Sequence, residues 1–148
     1  MKYFNIFIGT WCMSLILPSS ATAFTDGGFS RTCIARNWIT GVEEPVYEQN
    51  TGDVLGGFHA YASSQPNGSW LIQYNVPKMS AESFTVRKFI FYHECAHAVY
   101  STNVESIADC RGLQMMKSDI GVTNAELFEL AQRYKSFNRA LPPLGCHL

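Results

Sequence analysis

The densest chemistry in the chain lies at His93-Glu94-Cys95-Ala96-His97, an HExxH motif. A helix advances about 100° per residue, so His93 and His97 fall on one face. Both imidazoles can then reach a single Zn²⁺ at about 2.0–2.1 Å. Glu94 falls about 100° round the helix from His93, beside the metal, where a carboxylate can take the proton of an activated water. A second pair with the same spacing follows, Glu105 and Asp109. Glu105 is expected to supply the third ligand and leave a fourth position for water. Asp109 is expected to accept the Nδ1–H of His93 and fix its tautomer, with Asp109 itself as the substitute third ligand. Cys95 points to the far side of the same helix, which makes it a poor ligand and a better disulfide partner.

These residues must be carried on helices, and the chain punctuates them. Ser80, after Pro77, is read as the N-cap of a helix that runs through Phe84, Phe89, His93 and His97 to about Tyr100. Ser101-Thr102-Asn103 breaks it, and Asn103 is read as the cap of a second helix over 104–117. Thr123-Asn124-Ala125-Glu126 is a capping box opening a third helix to about Phe137. Pro142-Pro143 ends regular structure. The first half, 24–79, is rich in Gly, Asn, Pro and Thr, with strands expected over 34–39, 46–49, 58–62 and 70–74 and turns at Gly56-Gly57 and Pro66-Asn67-Gly68.

His93-Glu94-x-x-His97 followed by Glu105-x-x-x-Asp109 resembles the gluzincin branch of zinc metallopeptidases, and Glu105-x-x-Ala108-Asp109 is similar to small membrane-linked and secreted bacterial peptidases of that type. The resemblance covers residues 89–113. It implies zinc held by His93, His97 and Glu105, Glu94 as general base and Asp109 supporting a ligand histidine. Glu105 follows His97 by eight residues, a shorter connection than gluzincins usually have. The metzincin pattern fits worse, because Tyr100 and Asn103 stand at its glycine and third-histidine positions. The implied fold is α+β and zincin-like, a small, largely antiparallel sheet packed on the active-site helix and its followers. In such a fold an edge strand aligns an extended peptide substrate, and 70–74 is the strand expected to do so. A donor for the oxyanion is also expected, from among His59, Tyr61, Tyr100, Tyr134 and His147.

The remaining features bound the setting. The chain has 148 residues, enough for one domain. Lys2, an apolar stretch to Leu17, a break at Pro18 and Ala21-Thr22-Ala23 together read as a signal peptide over 1–23, leaving 24–148. The apolar run is shorter than the about 20 residues of a permanent membrane span, and Cys12 within it lacks the setting of a lipid-attachment cysteine. All 12 acidic residues and 10 of the 11 basic ones lie beyond residue 23, a net charge of −2. With no basic run or basic amphipathic helix, nucleic acid and stable membrane association are not expected, and the expected partner is a protein or peptide substrate. Cys33, Cys95, Cys110 and Cys146 read as two disulfides in an exported, periplasmic or secreted chain. Four cysteines allow three connectivities, among them Cys95–Cys110, or Cys33–Cys95 with Cys110–Cys146. Two competing expectations are a non-catalytic zinc-binding module and a disulfide-stapled interaction protein without metal.

Overall fold

A computed structural model describes residues 24–136 and 140–142. The expected leader with Cys12, the last residue of the third helix, Cys146 and His147 lie outside that range. The described chain is α+β: seven short strands, then four helices. Two antiparallel hairpins come first, β1 (Phe24–Asp26) with β2 (Phe29–Arg31), and β3 (Ile34–Arg36) with β4 (Glu43–Pro45). A three-stranded sheet follows, from β5 (Tyr47–Thr51), β6 (Ala60–Ser64) and β7 (Trp70–Asn75), in the order β5-β7-β6.

The strand pairings are largely antiparallel, as expected; the exception is β5, which lies parallel to β7 while β6 is antiparallel to it. Residues 70–74 are also central rather than at the edge; β6 holds the edge beside the helices. The reason is connectivity. The short turn after Ser64 pairs β6 with β7 as a hairpin, and β5 then adds to the remaining side of β7. Ile72 and Tyr74 on β7 are buried accordingly.

The helices begin with α1 (Val76–Ala81), whose first turn is capped by Asn75 accepting from Lys78 N at 3.3 Å. Ser80 therefore lies inside α1 and caps nothing. The cap of α2 (Phe84–Val99) is Ser83, whose Oγ accepts from Val86 N at 3.3 Å. The third helix, α3 (Glu105–Ile120), starts from Val104 without a side-chain cap, so Asn103 does not cap it. The capping box at α4 (Asn124–Ser136) forms as its residues dictate: Glu126 N donates to Thr123 Oγ1 at 3.2 Å, and Thr123 N to Glu126 Oε2 at 2.9 Å.

The core lies between the sheet and α2, closed by α3 and α4, and holds Phe91, Ile72, Leu113, Met116 and Leu130. Phe24 of β1 stacks on Phe91 with ring centroids 5.4 Å apart, which ties the first strand to the middle of α2. Cys33 and Cys95 form a disulfide that joins β3's approach to the buried side of α2. Cys110 is also disulfide-bonded, and because Cys95 is paired with Cys33 the Cys95–Cys110 staple is excluded. No described helix is long and apolar enough to cross a membrane.

Candidate metal centre

α2 ends in a Schellman motif. Thr102 N donates to His97 O at 3.1 Å and Ser101 N to Ala98 O at 3.3 Å, with Ser101 in the left-handed region at φ 47°. The turn reverses the chain within a few residues, and α3 folds back along α2. Gly112 allows the two backbones to meet: a Cβ there would stand 2.8 Å from both N and Cα of His93. That close approach answers the short connection between His97 and Glu105. The first residue of α3 already lies over the second histidine.

His93, His97 and Glu105 meet as a group able to hold a metal ion. The two Nε2 atoms are 3.1 Å apart; Glu105 Oε2 is 3.3 Å from His93 Nε2, and Oε1 is 3.5 Å from His97 Nε2. Around a tetrahedral ion with bonds of about 2.0–2.1 Å, neighbouring ligand atoms stand about 3.3 Å apart, so the three donors match a shared cation. The far ring nitrogens support this. His97 Nδ1 is 2.7 Å from Thr102 O, and a carbonyl can only accept, so that nitrogen carries the proton. Asp109 Oδ1 lies 2.9 Å from His93 Nδ1, off the ideal hydrogen-bond direction, and its negative charge favours a proton there too. In the neutral rings both Nε2 lone pairs therefore point at one another and at a carboxylate. A shared cation relieves that arrangement, and so does a proton on one Nε2 that is donated to Glu105.

Without a metal, the electrostatics favour that proton on His93. Burial opposes charge on His93, but the Asp109 and Glu105 carboxylates outweigh it and push the imidazole up to about 9. The hydrogen bond from His93 holds the Glu105 carboxyl below its usual range. Asp109 is itself fixed: it is buried and accepts from Tyr134 Oη at 2.6 Å. Among the two candidates for a third ligand, Glu105 thus approaches the Nε2 pair, and Asp109 stands behind His93.

Glu94 faces the sheet. It is buried, and burial raises its carboxyl above the ordinary value, against the pull of His93 and His97 and a hydrogen bond from the Ala62 backbone. Ala62 belongs to the open edge. Asn75 N donates to His59 O at 2.8 Å and Gln65 N to Ser69 O at 2.9 Å. Alternate residues bond the neighbour in an antiparallel pair. Ala60, Ala62 and Ser64 therefore turn their backbone groups away from β7. These groups, α2 and the start of α3 line a cleft of about 1100 Å³.

The oxyanion candidates separate. Tyr134 is committed to Asp109, and His59 Nε2 is 2.8 Å from Glu82 Oε1. Tyr100 packs under Arg111 and does not line the cleft. Tyr61, on β6, is half exposed and does line it. Gly112 and Thr102 have no motif to announce them. The only sequence signal is a glycine inside a helix one turn beyond Asp109, where close packing is the usual reason to keep one. Comparison with protein-family models, curated proteins and solved structures finds no match.

Proposed function

We propose that the chain is an exported zinc-dependent peptidase of the gluzincin kind, hydrolysing peptide bonds at the His93–His97–Glu105 site. The observation that carries this reading is the joint placement of three ligand atoms at tetrahedral spacing and a buried glutamate against an open strand edge. Two imidazoles and one carboxylate suit zinc, and a site with only three protein donors is the catalytic rather than the structural pattern. When bound, the cation supplies the Lewis acidity that makes water a nucleophile at neutral pH and polarises the scissile carbonyl. His93 and His97 present Nε2 because Asp109 and the Thr102 carbonyl occupy their Nδ1 sides. Glu94, its carboxyl raised by burial, accepts the water proton on a carboxylate oxygen and later delivers it to the leaving nitrogen. The backbone groups of Ala60 and Ser64 hold an extended peptide by strand addition, which gives affinity with little sequence preference. Tyr61 is the remaining described candidate to donate to the oxyanion. Residues 1–23 direct export, which suits a disulfide-bonded fold.

The test is zinc-loaded wild type beside Glu94→Gln on unfolded casein and on a fluorogenic peptide mixture. Loss of about 10²–10⁴-fold in rate with zinc retained is expected for a missing general base. Zinc bound by a wild type that cleaves nothing would overturn the peptidase reading and leave a non-catalytic metal-binding module.

A further inference from the structure

Phe58 is 64% exposed and Tyr61 53%, and among the described residues they are the only exposed large apolar side chains that line the cleft. Single exposed apolar residues are ordinary on a protein surface and need no explanation. These two form a pair, with ring centroids 6.4 Å apart and planes tilted by 44°. Neither belongs to the core or packs against it. The backbone that carries them is nevertheless held. Phe58 N donates to Leu55 O at 3.1 Å across Gly56 and Gly57, whose φ of 58° and 109° suits a tight turn that other residues resist. One residue later His59 O accepts from Asn75 N at 2.8 Å, and Tyr61 lies within β6 opposite Gln73.

What the pair faces follows from the pairing of an antiparallel edge. Ala60, Ala62 and Ser64 turn their backbone groups outward. An added strand meets each of them with a residue whose own N–H and C=O point back at β6, while its intervening residues point theirs away. The carbonyl to be attacked turns to the His93–His97–Glu105 site, away from β6, so the residue before the scissile bond is an intervening one. The residue after the bond then points its N–H at β6. Its partner is Ala62, because the Ala62 backbone holds Glu94, the group that protonates that nitrogen. A strand antiparallel to β6 places the second residue after the bond opposite Tyr61. That is a non-hydrogen-bonded pair, with Cα atoms about 4.5 Å apart and the side chains at their closest. Both side chains lie on one face of the extended sheet. Phe58 precedes Tyr61 in the chain and stands on the downstream side of the same position.

We propose that Phe58 and Tyr61 select a large apolar side chain, aromatic above all, at the second residue after the scissile bond. This rests on the peptidase reading. A ring set against the pair removes apolar area from water on both partners, and edge-to-face or offset contact between rings adds to that gain. A small or charged side chain at the same position gains neither. The ring of Tyr61 is what acts here, so the role is separable from any donation by its hydroxyl.

The experiment uses zinc-loaded, disulfide-intact protein. Wild type first cleaves a mixture of peptides of known sequence, and mass spectrometry of the products places each cut; aromatic residues should be enriched at the second position after it. Quenched fluorescent peptides that differ only at that position, with Phe, Leu, Ala or Asp, then give kcat and KM. Binding of the same peptides, labelled at one end, is measured by anisotropy on the Glu94→Gln protein. We expect Phe to be favoured over Ala by about tenfold, mainly in KM and binding, and Asp to be disfavoured. Phe58→Ser should bring the Phe and Ala peptides within about twofold of one another, and Tyr61→Phe should keep the preference. The wild-type comparison decides even where a variant fails to fold. Hydrolysis and binding indifferent to the second residue, or a preference for Phe that survives Phe58→Ser, would overturn the inference and leave the peptidase reading standing. Phe-selective binding with no hydrolysis of any peptide would overturn the peptidase reading and leave the aromatic site. Neither binding nor hydrolysis would overturn both.

Discussion

The two faces of α2 use the same helix for opposite ends. One carries Phe91, Cys95 and Ala98 into the core, where Phe24 stacks on Phe91 and Cys33 closes a covalent link. The other carries His93 and His97, each with its Nδ1 held and its Nε2 turned to a shared point. The first face is held by contacts that any well-packed apolar set could make. On the second face the two imidazoles are supported from outside the helix: Asp109 and Tyr134 behind one ring, the Thr102 carbonyl behind the other. The comparison teaches that stability and chemistry are separable along α2, because the groups that fix the fold and those that fix the site share a backbone and few side chains.

That separation can be broken from either side. The largest expected effect is on function: Glu94→Gln should abolish most hydrolysis while leaving the folded state as stable as the parent or more so, since it removes a buried acid. Rate assays beside urea titrations check this, and a matching collapse of stability would deny the separation. Next comes Cys33→Ala with Cys95→Ala, expected to cost about 2–4 kcal/mol by freeing a long loop in the unfolded chain. Zinc per folded chain should be unchanged, measured at a temperature where the variant is still folded. Gly112→Ala tests the seam between the faces. Its methyl group would press on the His93 backbone, with an expected loss of about 1–3 kcal/mol by overpacking and weaker zinc binding.

A smaller effect sharpens the comparison on the core side. Both carboxyl oxygens of Glu48 are buried, and burial pushes the group up to about 8, against hydrogen bonds from Tyr74 and the Cys33 backbone. A folded-state value above the unfolded one means that this group's contribution is fully present below about pH 4.5 and is lost as pH rises through about 8. Glu48→Gln should therefore unfold at a higher temperature than wild type at pH 8, with the gap closing below pH 5; thermal melts across that range read it directly. The smallest is Ser101→Gly. Glycine takes the left-handed backbone without the penalty other residues carry, so a gain of up to about 1 kcal/mol in chemical denaturation is expected.

What the sequence shows of this arrangement follows how local each cause is. The spacing of His93, His97, Glu105 and Asp109 is legible because a helix converts sequence separation into direction, and the capping box at Thr123 is legible because its bonds span three residues. Ser80 misleads because a second good cap, Ser83, lies three residues on, and Asn75 before Pro77 turns the intervening segment into a helix of its own. The edge strand is misplaced for a different reason. The composition of 70–74 reports a partly buried strand, and burial does not say which neighbours a strand has; β5, which joins β7 in parallel, comes from an earlier segment of the chain. The cluster of His59, Glu82 and Arg133 is invisible for the same reason, since its members come from three segments.

The central claim is the metal, and zinc per chain tests it most directly. Disulfide-intact protein incubated with zinc and dialysed should carry about one zinc in the wild type and none in His97→Ala or Glu105→Ala. Wild type without zinc after that treatment would contradict the account and leave His93, His97 and Glu105 as a proton-sharing cluster in a disulfide-stabilised binding protein.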